Sequence, residues 1–538
     1  MNRLRLLLPL AALLPACTSV TPSTIADEAI TADMLRTHVR FLADDLLEGR
    51  GVGSRGDQLA REYIASHLAA AGCEPGGPDG QWMQPVPILG ITSTVTQGLS
   101  AKGKGGTASF EAPENYTAVA GNPAASAAWQ DAELVFVGYG IDAPEQSWND
   151  FGSFDVRGKV LLVMNNDPAR DPERFAGKTR LYYGRWSYKF EEAARRGAAG
   201  VIIIHTTESA GYPFQVIQSS HGRENFWLPF EEGTPTLAVR SWCSEDAART
   251  LCVLGGHELD KLRERAELGN QAPVPLGVKV SLGIDNTVRE LQSANVVGVL
   301  PGTDPELADQ YVVMTSHFDH LGIGTPRRDD AIYNGAVDNA SGCAGMLALA
   351  RAAAKLPERR RSMLFVAVTA EESGLLGSQY FAEHPTVPVK SMVANVNVDG
   401  LNVWGETTDI EFIGYGKNSL SDVAAVLAKR RGREIKPDSE PDKGIFYRSD
   451  HFNFARVGVP AAYFKGGHDF VKDPANRKRM KASYTTVHYH QPSDELAAWW
   501  NFDGAVADLC VLFELLAATA NADAAPTWTK GDEFEKLR

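Results

Sequence analysis

Residues 311–320 read YVVMTSHFDH and residues 362–372 read SMLFVAVTAEE. Each is a short, almost wholly apolar run rich in Val, Met and Phe that stops on acidic or imidazole side chains. Such a run is what a strand buried on both faces of a parallel sheet looks like. Working outward, NVVGVL (295–300) precedes them, and MVANVNV (392–398) and VPAAYF (459–464) follow. Between them lie helical patterns: GCAGMLALARAAAKL (342–356), GLLGSQYFAEH (374–384), SDVAAVLAKRRG (421–432) and AVADLCVLFELLAATA (505–520). Strand–helix alternation of this length predicts an α/β fold, a doubly wound and mostly parallel sheet flanked by helices.

Open α/β sheets carry their chemistry outside the carboxyl ends of the strands. His317-Phe318-Asp319-His320 follows YVVMTS, Glu371-Glu372 follows SMLFVAVTA, and Asp399 follows MVANVNV. Asp338 lies in NGAVDNASG, and His488 and His490 bracket Tyr489 near the end. Crowding these carboxylates without a counter-charge would raise their pKa values and cost several kcal/mol. A pair of divalent cations supplies that charge, and mixed His/carboxylate ligation suits Zn²⁺ in an open site.

The remaining chain bounds the answer. Its 538 residues hold 53 Lys+Arg against 67 Asp+Glu, a net charge of −14. At about 100–200 residues per domain, two to four domains are expected. The acidic balance disfavours nucleic acid, whose affinity rests on Lys/Arg neutralisation of phosphates. No apolar run reaches the roughly 18 residues that span a bilayer. Arg3 and Arg5, the apolar LLLPLAALLPA (6–16) and then Cys17 have the form of an export signal. Leu14-Pro15-Ala16-Cys17 resembles the bacterial lipoprotein signal, and Thr18 after the cysteine leans towards the outer membrane. That resemblance implies cleavage after residue 16, a lipid on Cys17 as the sole membrane contact, and a bacterial cell-envelope location with residues 17–32 as a tether. Cys73, Cys243, Cys252, Cys343 and Cys510 include no CxxC pair, so a dense disulfide framework is excluded. Cys243 and Cys252 are read as a pair or as buried free thiols.

Two helices are expected to open the mature chain, MLRTHVRFLADDLLE (34–48) capped by Thr31 and DQLAREYIASHLAAAG (57–72). GVGSRG (51–56) matches a dinucleotide pattern but follows a helix rather than a strand, so it is read as a turn. From about 130 the texture changes to short β runs (ELVFVGYG, KVLLVM, GVIIIH, TPTLAV) with one helix, YKFEEAARRGAAG, ending near VPLGVKVSLGI (274–284). The domains are accordingly 33–125 and 288–520 for the main α/β unit, 126–287 for an inserted smaller β-rich unit, and 521–538 for a polar peripheral tail. The aromatic and basic stretch from Tyr183 to Trp186 either approaches a substrate path or packs at the domain boundary.

The ordered set HFDHLG, IYNGAVDNASG, TAEESGLLGS, NVDG and YHQPSDE is similar to the M28 family of metallopeptidases, with FLADDLLEGRGVGSRG (41–56) resembling the family's N-terminal stretch. The insert resembles a protease-associated (PA) domain. The resemblance implies a di-zinc aminopeptidase acting on peptides. It makes His317, Asp338 and Asp399 ligands of one metal, and Glu372 and His490 ligands of the other, with Asp338 shared. Asp319 would orient the His317 ring, and Glu371 would be the general base that takes a proton from the attacking water. His488 is the rival to His490, which the resemblance prefers because the family's histidine directly precedes an x-Pro-x-Asp turn, here Gln491–Asp494. Tyr489 is read as an oxyanion stabiliser or a packed aromatic, and Ser449 as a hydrogen-bonding residue beside the water or a helix cap. Alternatives are a carboxypeptidase or amidohydrolase on the same site, with Arg448 or Lys465 clamping a substrate carboxylate, and a non-catalytic binding protein. Neither a GxSxG elbow nor an HExxH helix is present.

Overall fold

The computed structural model describes residues 21–538 apart from 172–173, 222–223 and 270. The expected leader (1–16) and Cys17 lie outside the described residues. The tether does not survive beyond them. Residues 22–29 form α1 (Pro22–Ala29), capped by Thr21. Ile25, Ala26, Ala29 and Ile30 fall on one helical face and are buried in the main core. Ser23 donates to Glu514 over 2.6 Å, and Asp27 pairs with Arg431 at 2.8 Å.

α2 (Ala32–Leu42) starts at Thr31, whose hydroxyl accepts from Met34 N at 3.3 Å. It ends sooner than its pattern suggests, because Ala43 leaves helical geometry and the Asp44 carboxylate accepts from Leu46 N at 3.0 Å, capping a separate short turn. The 51–54 segment is a turn, as read, and α3 (Arg55–Ala70) follows it.

The strands are β1 (Met83–Gly103), β2 (Tyr116–Ala120), β3 (Ser126–Phe136), β4 (Val160–Met164), β5 (Gly200–His205), β6 (Val239–Ser244), β7 (Val274–Leu300), β8 (Tyr311–His317), β9 (Ser362–Val368), β10 (Met392–Asn397), β11 (Asp409–Ile413), β12 (Glu434–Pro437) and β13 (Ala461–Gly466). One sheet runs β12-β11-β13-β10-β8-β9-β7-β3-β4-β5-β6-β2. Its middle strands β9, β8, β10 and β13 are parallel, flanked by antiparallel β7 and β11. The sheet is thus parallel through its middle, as expected, and mixed overall because β7 and β11 pair antiparallel. Alternate residues explain why these strands are apolar throughout. Met363, Phe365 and Ala367 enter one core while Leu364, Val366 and Val368 enter another on the opposite face. α5 (Gly342–Ala353), buried at every position except Arg351, covers the first face, with α7 (Asp503–Asn521) beside it. α6 (Leu376–Glu383) follows β9.

β7 overturns the expected break near 285. Its polar middle, DNTVRELQS (285–293), pairs with β1 along its whole length, and residues 225–227 add a short antiparallel strand on the other side of β1. One end of β7 joins β3 and the other joins β9. The inserted unit's apolar core consequently begins at Ile91 and ends at Ile284, taking in Leu99, Phe110 and Tyr116 from the segment assigned to 33–125. The tail is not peripheral either. Trp528 and Phe534 are buried with Phe446, Tyr447 and Phe452, so two large aromatics hold a polar stretch down. Cys73, Cys243, Cys252, Cys343 and Cys510 are all free and buried, with Cys243 on β6.

Candidate metal centre

Parallel pairing puts the carboxyl ends of β8, β9 and β10 on one rim, with His317 level with Val368 and Thr315 level with Asn397. Just beyond these ends stand His317, Glu371-Glu372 and Asp399. Asp338 arrives from the irregular turn 336–341 that leads into α5. Gly335 (φ +56°) is required in that turn, since a Cβ there would sit 2.2 Å from the Asp338 carbonyl and 2.4 Å from the His320 ring.

Asp338 stands between two histidines. Its Oδ1 is 3.2 Å from His317 Nε2 and its Oδ2 is 3.3 Å from His490 Nε2. Asp399 Oδ1 is 3.2 Å from His317 Nε2, and Glu372 Oε2 is 3.0 Å from His490 Nε2. Glu371 reaches only to 3.9 Å from His317 Nε2. The structure thus gathers all of the expected ligands, with Glu371 beside them. His488 points away, its Nδ1 2.9 Å from Ser493 Oγ.

Two overlapping groups have the spacing to hold a cation: His317, Asp338 and Asp399, and His320, Asp338 and Glu372. His320 was missed in the sequence although it ends the same HFDH run. Its Nδ1 lies 2.6 Å from Glu372 Oε1, and its ring centroid is 5.6 Å from that of His490. Both ring nitrogens of His320, Glu372 Oε1 and His490 Nε2 are buried without an aligned hydrogen bond. Buried polar atoms are rarely left so, and donors that converge without bonding one another fit a shared cation. Hard carboxylate with imidazole is a donor set that Zn²⁺ accepts.

The supporting contacts differ in part from the expected ones. His317 Nδ1 meets the Asp319 main-chain carbonyl at 3.2 Å, whereas the Asp319 carboxylate is 3.8 Å away. A proton on Nδ1 directed at that carbonyl leaves Nε2 as the free ligand atom. The Asp319 carboxylate instead accepts from Glu371 N (3.0 Å) and Glu372 N (3.3 Å), fixing the turn that carries both glutamates. That turn needs help, because Ala370 has a left-handed φ of 54°. Burial pushes Asp319 up to about 7 and raises Glu371 well above the usual carboxylate range.

Asp399 is held by a buried hydrogen-bond chain. Asn395 Nδ2 donates to Thr315 Oγ1 (3.1 Å), the Thr315 hydroxyl to Asn397 Oδ1 (2.7 Å), Asn397 Nδ2 to Ser449 Oγ (2.7 Å), and the Ser449 hydroxyl to Asp399 Oδ2 (2.7 Å). Ser449 therefore acts on a ligand and is no helix cap. Asn339 ties the turns together, donating to Ser316 Oγ and the Val398 carbonyl and accepting from Gly342 N and Gly400 N. Asp494 accepts from Val337 N and Asp338 N. Arg50, fully buried, donates to the carbonyls of Leu42, Phe318, Asn334 and Gly335, so it staples the His317 turn to the Asp338 turn. Tyr489 is 39% exposed, with its ring stacked on that of His490 at 3.9 Å between centroids.

Residues 295–513 match the profile of Peptidase family M28. Aminopeptidase NAALADL1 of Mus musculus is 30% identical over 192 residues, which are 33% of this chain and 24% of that protein. Aminopeptidase YwaD of Bacillus subtilis is 25% identical over 208 residues, 38% of this chain and 40% of that one. The chain thus spans about a quarter to two fifths of the length of these curated relatives. Among solved structures, an aminopeptidase from Aneurinibacillus sp. strain AM-1 superposes with a TM-score of 0.53 at 20% identity, covering 93% of this chain and 96% of that one. That likeness bears on the fold. Every side chain placed above at the cation groups lies inside the matched span, and residues 295–513 are a Peptidase family M28 domain.

Proposed function

We propose that the protein is a di-zinc metallopeptidase that releases N-terminal residues from peptides. The observation that carries this reading is Asp338, whose two oxygens face two different histidines at 3.2 and 3.3 Å. One carboxylate so placed can serve two cations at once. His317 and Asp399 complete one side, Glu372 with His490 the other, and His320 stands within reach of Glu372. Zinc bound here supplies Lewis-acid polarisation of the scissile carbonyl and lowers the pKa of water.

The chain's own residues do the rest. Glu371 belongs to neither cation group, so its carboxylate is free to take a proton from the attacking water and return it to the leaving amine. Its partial burial keeps that proton away from bulk solvent. Tyr489, stacked on His490, is placed to donate its hydroxyl towards the developing oxyanion. We read the inserted unit as a PA-like wall beside the cleft, and the N-terminal sequence as an export signal with lipid anchoring on Cys17 in a bacterial envelope.

The test digests a free-amine peptide library with zinc-loaded protein, with and without chelator, and reads products by mass spectrometry. Stepwise loss of N-terminal residues that chelator abolishes is expected. Glu371→Gln should lose turnover by at least about 10³-fold while its metal content stays at the wild-type value. Equal cleavage of N-acetylated peptides would overturn the aminopeptidase reading, and absence of bound metal would overturn the mechanism.

A further inference from the structure

The segment from Tyr183 to Trp186 splits in the structure. Tyr183 packs into the inserted unit, its hydroxyl 2.6 Å from Glu145 and its ring 5.1 Å from that of Tyr188. Its neighbour Tyr182 faces the other way, with its ring 5.1 Å from Phe452 and 6.3 Å from Tyr447. Arg180 N donates to the Pro441 carbonyl at 2.9 Å. The inserted unit therefore meets the M28 domain where the short turn Tyr182–Gly184 packs against the short turn Ile445–Tyr447.

Each turn is followed at once by an arginine, Arg185 on one side and Arg448 on the other. Arg448 directly precedes Ser449, whose hydroxyl is 2.7 Å from Asp399, so this junction adjoins the metal centre. Neither guanidinium has an ion pair or a side-chain hydrogen bond among the described residues, and Arg185 Nε is buried without a partner. Burial and the like charge of Arg448 together push Arg185 down to about 10, with Tyr212, Tyr182 and Glu371 acting in the opposite sense. The Arg448 charge also acts on Tyr489. If the centre holds two divalent cations, they neutralise their ligands Asp338, Glu372 and Asp399, and the arginine pair keeps two uncompensated positive charges. Partly buried like charges persist when something anionic completes them.

We propose that Arg185 and Arg448 form a carboxylate-binding subsite across the domain junction, which selects peptides bearing a carboxylate near the scissile bond. The inference rests on the peptidase reading. A guanidinium fork pairs with a carboxylate through two parallel N–H···O bonds, which a lysine cannot reproduce. The carboxylate has two sources, the α-carboxylate of a dipeptide or an acidic side chain. The junction gives the inserted unit a direct part in specificity, because one of the two forks comes from each unit.

The experiment compares kcat/KM for Ala-Ala against Ala-Ala-amide, and for Ala-Glu-amide against Ala-Gln-amide, on the zinc-loaded full chain. The first pair reads the α-carboxylate and the second the side chain. At least one acid is expected to exceed its amide by about tenfold or more, the size of a charge-assisted bond. In R185Q and R448Q that ratio should fall towards one, with R185K in between. A wild type that treats both acids like their amides, or variants that keep its preference, overturns the proposal. Should R185Q misfold by circular dichroism, the ratios of R448Q and R185K decide. Calorimetric binding of the same four peptides to the zinc-loaded E371Q protein separates the two claims. Acid preference there without turnover in the wild type sinks the peptidase reading and keeps the subsite, whereas turnover without preference sinks the subsite alone.

Discussion

The Ser449 hydroxyl donates to Asp399 Oδ2 across 2.7 Å, and it is the last link of a buried chain that starts at Asn395. The chain has a direction. Each donor is fixed by the acceptor before it, so Asp399 Oδ1 is left as the oxygen that faces His317. Ser449→Ala removes the final donor while leaving the ligand in place. Metal affinity or activity should drop about 10–100-fold, the usual cost of losing a ligand's hydrogen-bond partner. Zinc titration with a competing chelator reads the change, and Ser449→Thr should recover part of it.

Asp338 is shared, so its removal should not spare either cation. Asp338→Asn halves the charge available to both groups at once, and elemental analysis should find metal content well below that of an Asp399→Asn variant. Equal losses in the two variants would argue against a bridging position.

Arg50 carries no catalytic role but satisfies carbonyls from three segments. Arg50→Met leaves buried acceptors bare, at about 1–3 kcal/mol for an unsatisfied group. A loss of at least about 3 kcal/mol is expected in urea unfolding, with weakened metal binding because the His317 and Asp338 turns come unpinned.

Acid should act on the N-terminal helices as well as on the metal centre. Burial, followed by the charges of His67 and Arg351, pushes His38 down to about 4 from an ordinary value of 6.5. Between those limits the unfolded chain binds the proton and the folded chain does not. His38 therefore favours folding above pH 6.5, and that contribution drains away as pH falls to 4. The difference amounts to about 3 kcal/mol at 1.36 kcal/mol per unit. His38→Gln should lose correspondingly less stability than wild type between pH 7 and pH 4 in urea titrations.

The sequence by itself determined the central strands β8, β9, β10 and β13 of the M28 domain, four of its helices and the side chains at the strand ends, but not β11 or β12. These follow from short-range pattern, since apolar runs of strand length and residues just past them are read from neighbours in the chain. Resemblance to the family, rather than local pattern, preferred His490 over His488, and the structure sets His490 beside Asp338 and Glu372. Tertiary structure alone decided how those residues are held and by what. That His317 is steadied by the Asp319 main chain, that the Asp319 carboxylate serves Glu371 and Glu372, and that Arg50 joins two remote turns are contacts between segments far apart in sequence. The same holds for Ile25 and Trp528, whose polar surroundings conceal single apolar side chains with a distant core to fill. The boundary placed at 287/288 fell inside β7 because the strand's pairing partner, β1, lies nearly two hundred residues earlier. A strand exposed on both faces has no local pattern to mark it, and only its hydrogen-bonded neighbour shows what it is.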